Sequence, residues 1–196
     1  MTTDHPLPPT VSAPALLPGG TDARFRQLVY DLFTVSVRMG AVRDALARDL
    51  GVTGPQYSIL MAVARLAGAA GAGGVPVGRV ADQLHVTGAF VTVETGKLVR
   101  KGLVRKAPNP KDGRSVLLRL SERGAERLER LAPKVSAVND RFFGGLDRGD
   151  FETLARAASA LVRRSDDAVE IARAAPAGRA DDAKRRAAAT PPAREG

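Results

Sequence analysis

Between Thr21 and Leu50 the apolar residues Phe25, Leu28, Val29, Leu32, Val35, Met39, Val42 and Leu46 recur at helical spacing. That spacing lays them along one face of a single long helix. Thr21 or Asp22 is placed to cap it and Gly51 to end it. Thr53 and Gln56 stand at capping-box spacing ahead of a second apolar series, Tyr57, Ile59, Leu60, Val63 and Leu66. Pro55 between them suits a first helical turn. The series stops in the glycine-rich run 68–74. Two short helical patterns follow: 77–84 with Val77, Val80, Ala81 and Leu84, and a second that Thr87 caps and Gly102 halts after Lys101. His85-Val86 makes a tight turn between them, which is helix-turn-helix spacing.

Leu103–Lys106 then reads as a strand, Ala107–Arg114 as a turn, and Ser115–Leu120 as a second strand. Ser121 caps a further helix carrying Leu128, Leu131, Val135, Val138 and Phe142, which Pro133 should kink at a cost of roughly 3 kcal/mol if unrelieved. Asp147 or Asp150 opens a last helix with Phe151, Leu154, Ala158, Leu161, Val162 and Val169. The predicted fold is mostly α with a small β-hairpin: a winged helix-turn-helix over about 54–120, flanked by long helices over about 22–50 and 121–175. A small winged module needs little cover, so the surplus apolar faces of those helices suggest a subunit interface; simple packing within one chain is the alternative. Prolines at 6, 8, 9, 14 and 18 mark 1–20 as a disordered arm, and Pro176, Pro191 and Pro192 mark 176–196, with its cluster Lys184-Arg185-Arg186, as a disordered tail. The folded part is then one domain, 21–175.

Composition narrows the chemistry. The chain has no cysteine, so it has no disulfide, thiolate metal site or thiol switch, and His5 and His85 are too few for a histidine-built metal site. No apolar run approaches the roughly 20 residues that span a bilayer, and the start of the chain lacks the pattern of a signal peptide. A cytoplasmic protein without metal or cofactor is expected. No histidine–nucleophile pair or carboxylate dyad emerges, so an enzyme is not expected.

Charge changes the picture more. Thirty Lys and Arg oppose 21 Asp and Glu, a net +9, and such an excess suggests a polyanionic partner. It is concentrated: Lys97, Arg100, Lys101, Arg105, Lys106, Lys111, Arg114 and Arg119 face only Asp112 in the span from Lys97 to Arg119. A charge run is usually a solvated face. Here it coincides with the second short helix and the hairpin, where neutralising phosphates would release counterions. The glycine run 68–74 follows a helix rather than a strand and lacks the lysine of a nucleotide loop, so it reads as a flexible connector.

The stretch 84–124 resembles the recognition helix and wing of the multiple-antibiotic-resistance regulator (MarR) family. The matching pieces are Leu84-x-Val86-Thr87, Val91-Thr92, Lys97-Leu98, Lys101-Gly102-Leu103-Val104, and Asp112-x-Arg114 followed by Leu120-Ser121-x-x-Gly124. The order of helices over 22–172 fits as well. The resemblance implies a homodimer that regulates transcription, acting as a ligand-responsive repressor on a palindromic operator in double-stranded DNA. Thr87, Gly88, Ala89, Thr92, Val93, Gly96 and Lys97 should line the groove-facing side of the recognition helix, with Val91 and Leu98 toward the core. Thr92 and Lys97 can reach base edges or phosphates, and Ala89 and Val93 thymine methyls. The cations of the hairpin, Arg105, Lys106 and Lys111, join them. By resemblance, Arg114 enters the minor groove and Asp112 orients it; without it, Asp112-Gly113 is an ordinary turn dipeptide.

Glu94 and Thr95 depart from the aliphatic residues common at those family positions, Gly96 weakens the helix, and Phe90 is unusual if exposed. The resemblance also implies a small aromatic or anionic effector near the junction of the dimer and DNA-binding parts. Arg38, Arg43 and Tyr57 fall in that region, though an arginine on a helix is ordinarily just solvated, and no ligand residues are assigned. A sequence-neutral architectural DNA-binding protein would share the basic wing. A protein-binding adaptor on the same fold is a further alternative.

Overall fold

The computed structural model describes residues 8–70, 73–110 and 112–174. The tail read over 176–196 lies outside them. The chain divides into two compact units, one running to Val138 and the other from Asn139.

The first unit begins with residues read as part of an arm. There Pro14–Leu16 and Pro18–Gly20 form single 3-10 turns, each with a proline at its start. Helix α1 spans Ala23–Asp49. Asp22 occupies the cap position without capping. Its carboxylate instead accepts the Thr10 N–H at 2.7 Å, the Thr10 hydroxyl at 2.9 Å and the Arg26 Nε at 2.9 Å, while Arg26 Nη2 donates to the Pro8 carbonyl at 2.8 Å. A side chain expected to start the helix thus ties the preceding segment to it.

Helix α2, Gly54–Ala70, starts at the expected capping box: the Thr53 N–H donates to Gln56 Oε1 at 3.2 Å, and the Gln56 N–H to Thr53 Oγ1 at 3.4 Å. It runs past Gly68, the expected stop. The short strand β1, Val75–Pro76, was not foreseen, because two residues carry no periodicity; Val75 is almost fully buried. Helix α3, Val77–Leu84, ends on His85 in the left-handed region at φ 50°, with the Val86 N–H returning to the Ala81 carbonyl at 3.1 Å. Helix α4 spans Gly88–Arg100, and the Thr87 hydroxyl caps it by accepting the Phe90 N–H at 3.2 Å.

Strands β2, Val104–Asn109, and β3, Asp112–Leu120, both reach further into the expected turn than their apolar patterns indicate. They pair antiparallel, Val104 opposite Leu120 and Lys106 opposite Leu118, in a sheet ordered β1-β3-β2. Pro108 extends β2 opposite Val116, just before an irregularity in the ladder. It is tolerated because β2 is an edge strand, where a missing N–H costs no interior hydrogen bond.

One core joins these elements. Ile59, Leu60 and Val63 of α2, Val80 of α3, Val91 and Leu98 of α4, and Val104 and Leu118 of the sheet are essentially inaccessible, with Leu46 of α1 and Leu131 of the helix after the sheet at its margins.

Helix α5, Glu122–Phe143, begins at Ser121, whose Oγ accepts the Gly124 N–H at 2.9 Å and donates to the Gly102 carbonyl at 2.6 Å. The Ser121 N–H reaches the Leu103 carbonyl at 3.0 Å. Pro133 lies within the helix but does not end it. Both Pro133 and Glu129, the residue whose carbonyl loses its partner, are exposed, so water can relieve the loss. Lys134 Nζ and Asp49 Oδ2, at 2.6 Å, hold α5 against the end of α1.

The second unit contains the end of α5 and helix α6, Arg148–Arg173. Of the two candidate caps for α6, Asp147 serves, its carboxylate accepting the Asp150 N–H at 2.8 Å. No residue of α6 is buried.

Two outcomes follow from these contacts. A Cβ on Gly124 would collide with the Leu103 carbonyl oxygen and lie 3.0 Å from its carbon. Gly124→Ala is therefore expected to lower stability by about 1–3 kcal/mol in denaturant titration, whereas an unchanged midpoint would show that this corner yields. The Thr10 N–H, and then Arg26, hold the Asp22 carboxyl at about 2 instead of 3.8. A depressed acid stabilises the docked segment above its ordinary value and loses that effect as pH falls through about 2. Protection of the Thr10 amide from exchange should fade over that window and be absent in Asp22→Ala; a midpoint near 3.8 would count against the contact.

Candidate nucleic-acid interface

Helix α4 is two-sided. Val91, Glu94, Thr95 and Leu98 form its buried stripe. Thr87, Ala89, Thr92, Val93 and Arg100 are exposed around the opposite side, with Gly88, Gly96 and Lys97 half-buried. Val93 is 59% exposed, on the side of the helix away from the core. Phe90 is exposed at the flank. The residues expected on the groove-facing side therefore share one surface.

The two polar residues that depart from the aliphatic pattern are inside, and each is satisfied. Thr95 donates its hydroxyl to the Val91 carbonyl at 2.7 Å and lies 3.1 Å from that of Thr92. Glu94 Oε2 accepts from Gln56 Nε2 at 2.9 Å, and its Oε1 from Lys97 Nζ at 2.5 Å. Gln56 is itself buried, and its other amide atom is the capping acceptor at the start of α2. Lys97, and then Gln56, hold the Glu94 carboxyl below the usual range against the opposing effect of burial.

Several cations of the basic run are engaged with their own chain. Lys97 pairs with Glu94; Lys101 Nζ donates to the Gly51 carbonyl at 2.8 Å, Lys106 Nζ to that of Thr92 at 3.4 Å, and Arg119 Nε to that of Gly73 at 3.2 Å. Arg100 and Arg105 are exposed, and Asp112 is exposed where β3 begins. Lys111, and the side chain of Arg114, lie outside the described residues, so the pairing of Asp112 with Arg114 does too. Thr92 already donates its hydroxyl to the Gly88 carbonyl at 2.8 Å, leaving its oxygen to accept.

Sequence reasoning did not place Arg100 among the interface residues, although its spacing from Val93 and Gly96 carries that signal. It also missed the partnership of Gln56 with Glu94, which spans two helices and has no local signature.

Among the described residues no group of three or more metal-ligating side chains occurs, and no helix is long and apolar enough to cross a membrane. A cleft of about 600 Å³ is lined by Arg43, Tyr57, Met61, Arg65 and Leu84 among others. Arg43 is partly neutralised by Asp44 at 2.9 Å, and burial pushes the Tyr57 phenol up. Arg38 is not part of the lining.

Comparison with known proteins finds a likeness for this arrangement. The model of the MarR family matches residues 50–115, the span from the end of α1 through α4 and β2 into β3. Over that third of the chain the winged-helix module is similar to the MarR family. An uncharacterized HTH-type transcriptional regulator, YhbI of Bacillus subtilis, is 22% identical over 146 residues, covering 74% of this chain and 91% of its own length. Among solved structures, a MarR mutant from E. coli complexed with operator DNA superposes with a TM-score of 0.58 at 22% identity, over 70% of this chain and 95% of that one. A MarR protein from Peptoclostridium difficile reaches a TM-score of 0.62 at 16% identity, over 83% and 94%. At such identities the likeness is one of fold. The mostly helical fold with a small antiparallel sheet matches theirs; the helix pair α3–α4 and the β2–β3 hairpin were expected from the residues, and β1 was not.

Proposed function

We propose that this chain is a sequence-specific, double-stranded-DNA-binding transcriptional regulator, working in the cytoplasm as a homodimeric repressor on a palindromic operator. The observation that carries the reading is the exposed face of α4, Ala89, Val93 and Arg100, beside a hairpin whose run of cations meets one carboxylate. A helix of this kind fits the major groove, where small apolar side chains meet thymine methyls and the capped N-terminus offers N–H groups to a phosphate. Arg105, Lys106 and Lys111 of the hairpin follow the backbone, and Arg114, oriented by Asp112, reaches the minor groove. The likeness of the module to the MarR family and the operator complex of its E. coli relative support this assignment.

Exposed apolar residues support pairing with a second copy. Val37 of α1 is 72% exposed and Ile171 of α6 is 76% exposed, with Phe33, Leu161 and Val162 also open. A small aromatic or anionic effector fits the cleft by Tyr57, where binding would favour a dimer whose recognition helices no longer match successive grooves.

Selection of bound duplexes from a random pool, followed by footprinting, tests the reading. A two-fold site with half-sites roughly 34 Å apart is expected; uniform coverage would favour a sequence-neutral architectural protein instead. On the selected site Arg114→Ala should cost about 1–3 kcal/mol of affinity, and unchanged binding would remove Arg114 from the interface.

A further inference from the structure

Lys97 stands on the recognition helix at the rim of the proposed duplex-facing side, yet its ammonium is held by a carboxylate of the same helix. Three features make this more than a passing surface pair. Glu94 is only 11% exposed at its side chain, so its carboxylate does not swing freely. It is fixed from the other side by Gln56, whose remaining amide atom is committed to the start of α2. Lys97, at 44% side-chain exposure, is the accessible end of a chain of contacts that begins at Thr53, just ahead of α2. To reach a phosphate, Lys97 would have to leave a mostly buried carboxylate with one amide donor. Stranding such a group is unfavourable. A phosphate approaching the intact pair would also meet the Glu94 charge as well as that of Lys97.

We propose that Glu94 is a positioning residue that withholds Lys97 from the DNA backbone and so limits sequence-neutral attraction at the recognition helix. The inference rests on the DNA-binding reading above. Its consequence is a less adhesive helix: the pair is neutral, so the outward face of α4 meets the groove through Ala89, Thr92, Val93 and Gly96, with Arg100 left as the helix cation for the backbone. A backbone contact strengthens binding to every sequence about equally, so withholding one cation weakens attraction to any duplex and leaves discrimination to the side chains that face the bases.

Glu94→Gln separates this role from a structural one. The amide keeps the shape of the carboxylate and still accepts from Gln56, but no longer holds an ammonium by charge. The full-length wild type, Glu94→Gln, Lys97→Gln and the double variant would be titrated with a short duplex of random sequence over a series of salt concentrations. Circular dichroism and denaturant midpoints would establish that each is folded.

The expected result is that Lys97→Gln keeps the wild-type slope of log affinity against log salt. Glu94→Gln should steepen it by about 0.9, the value for one further phosphate contact, and bind the random duplex several-fold more tightly at low salt. The double variant should return to the wild-type slope. A wild-type slope in folded Glu94→Gln would overturn the inference. So would a slope already shallower by a full contact in Lys97→Gln, which needs no change at Glu94 and shows Lys97 on a phosphate in the native protein. A wild type that binds no duplex at low salt would overturn the DNA-binding reading itself, a result distinct from either.

Discussion

The structure depends on how one short helix is held. A helix can offer a face to a groove only if its opposite face is anchored, and α4 is anchored along Val91, Glu94, Thr95 and Leu98. Val91 and Leu98 supply the apolar burial. Glu94 and Thr95 supply direction, because a buried carboxylate and hydroxyl must find partners at set distances and angles. Thr95 finds its partners within α4, so it constrains nothing beyond the helix. Glu94 finds Gln56 of α2, so it fixes the rotation of α4 relative to its neighbour.

The same logic applies to the hairpin. Its position relative to α4 is set at the corner where β3 gives way to α5. There the Ser121 hydroxyl closes the first turn of α5 and also reaches back to the Gly102 carbonyl just after α4, while the absence of a side chain at Gly124 lets α5 approach the Leu103 backbone. The end of α4, the hairpin and the first turn of α5 are therefore tied together at this corner. The Ser-x-x-Gly spacing in the sequence is the chemical record of that corner: a cap at one position and a close approach three residues later.

Much of this was legible in the residues. The helices announced themselves through spacing of apolar positions, and Thr53–Gln56, Thr87, Ser121 and Asp147 marked starts where the structure has caps. What was not legible depended on distance along the chain or on brevity. Asp22 was expected to cap α1, but its carboxylate is taken by Thr10, outside that helix, together with Arg26 within it. Strand β1 is buried because Val75 meets Leu118 across the sheet, a pairing no local pattern reveals. The hairpin was drawn too short because Pro108 reads as a strand breaker, and only the sheet order shows that it lies on an edge. On α4 the helical period separated Val91 and Leu98 from Ala89 and Val93, but Glu94 looked like an anomaly until Gln56 explained it.

Counting charge in a sequence overstates what a partner meets. The run from Lys97 to Arg119 holds eight cations against one carboxylate, but Lys97, Lys101, Lys106 and Arg119 are bonded within the fold. Three of these four bind backbone carbonyls: Lys101 at the turn after α1, Lys106 within α4 and Arg119 in the connector before β1. Such bonds leave the positive charge in place while directing the side chain, so they shape the field without supplying a mobile contact. Lys97 differs, since its charge is cancelled as well as directed. The surface that α4 presents is consequently less basic than its sequence, and the cations that dominate encounter lie at the end of the helix and on the hairpin. In the function proposed above, long-range attraction belongs to the hairpin side of the surface, and close discrimination to the small apolar face between Ala89 and Val93.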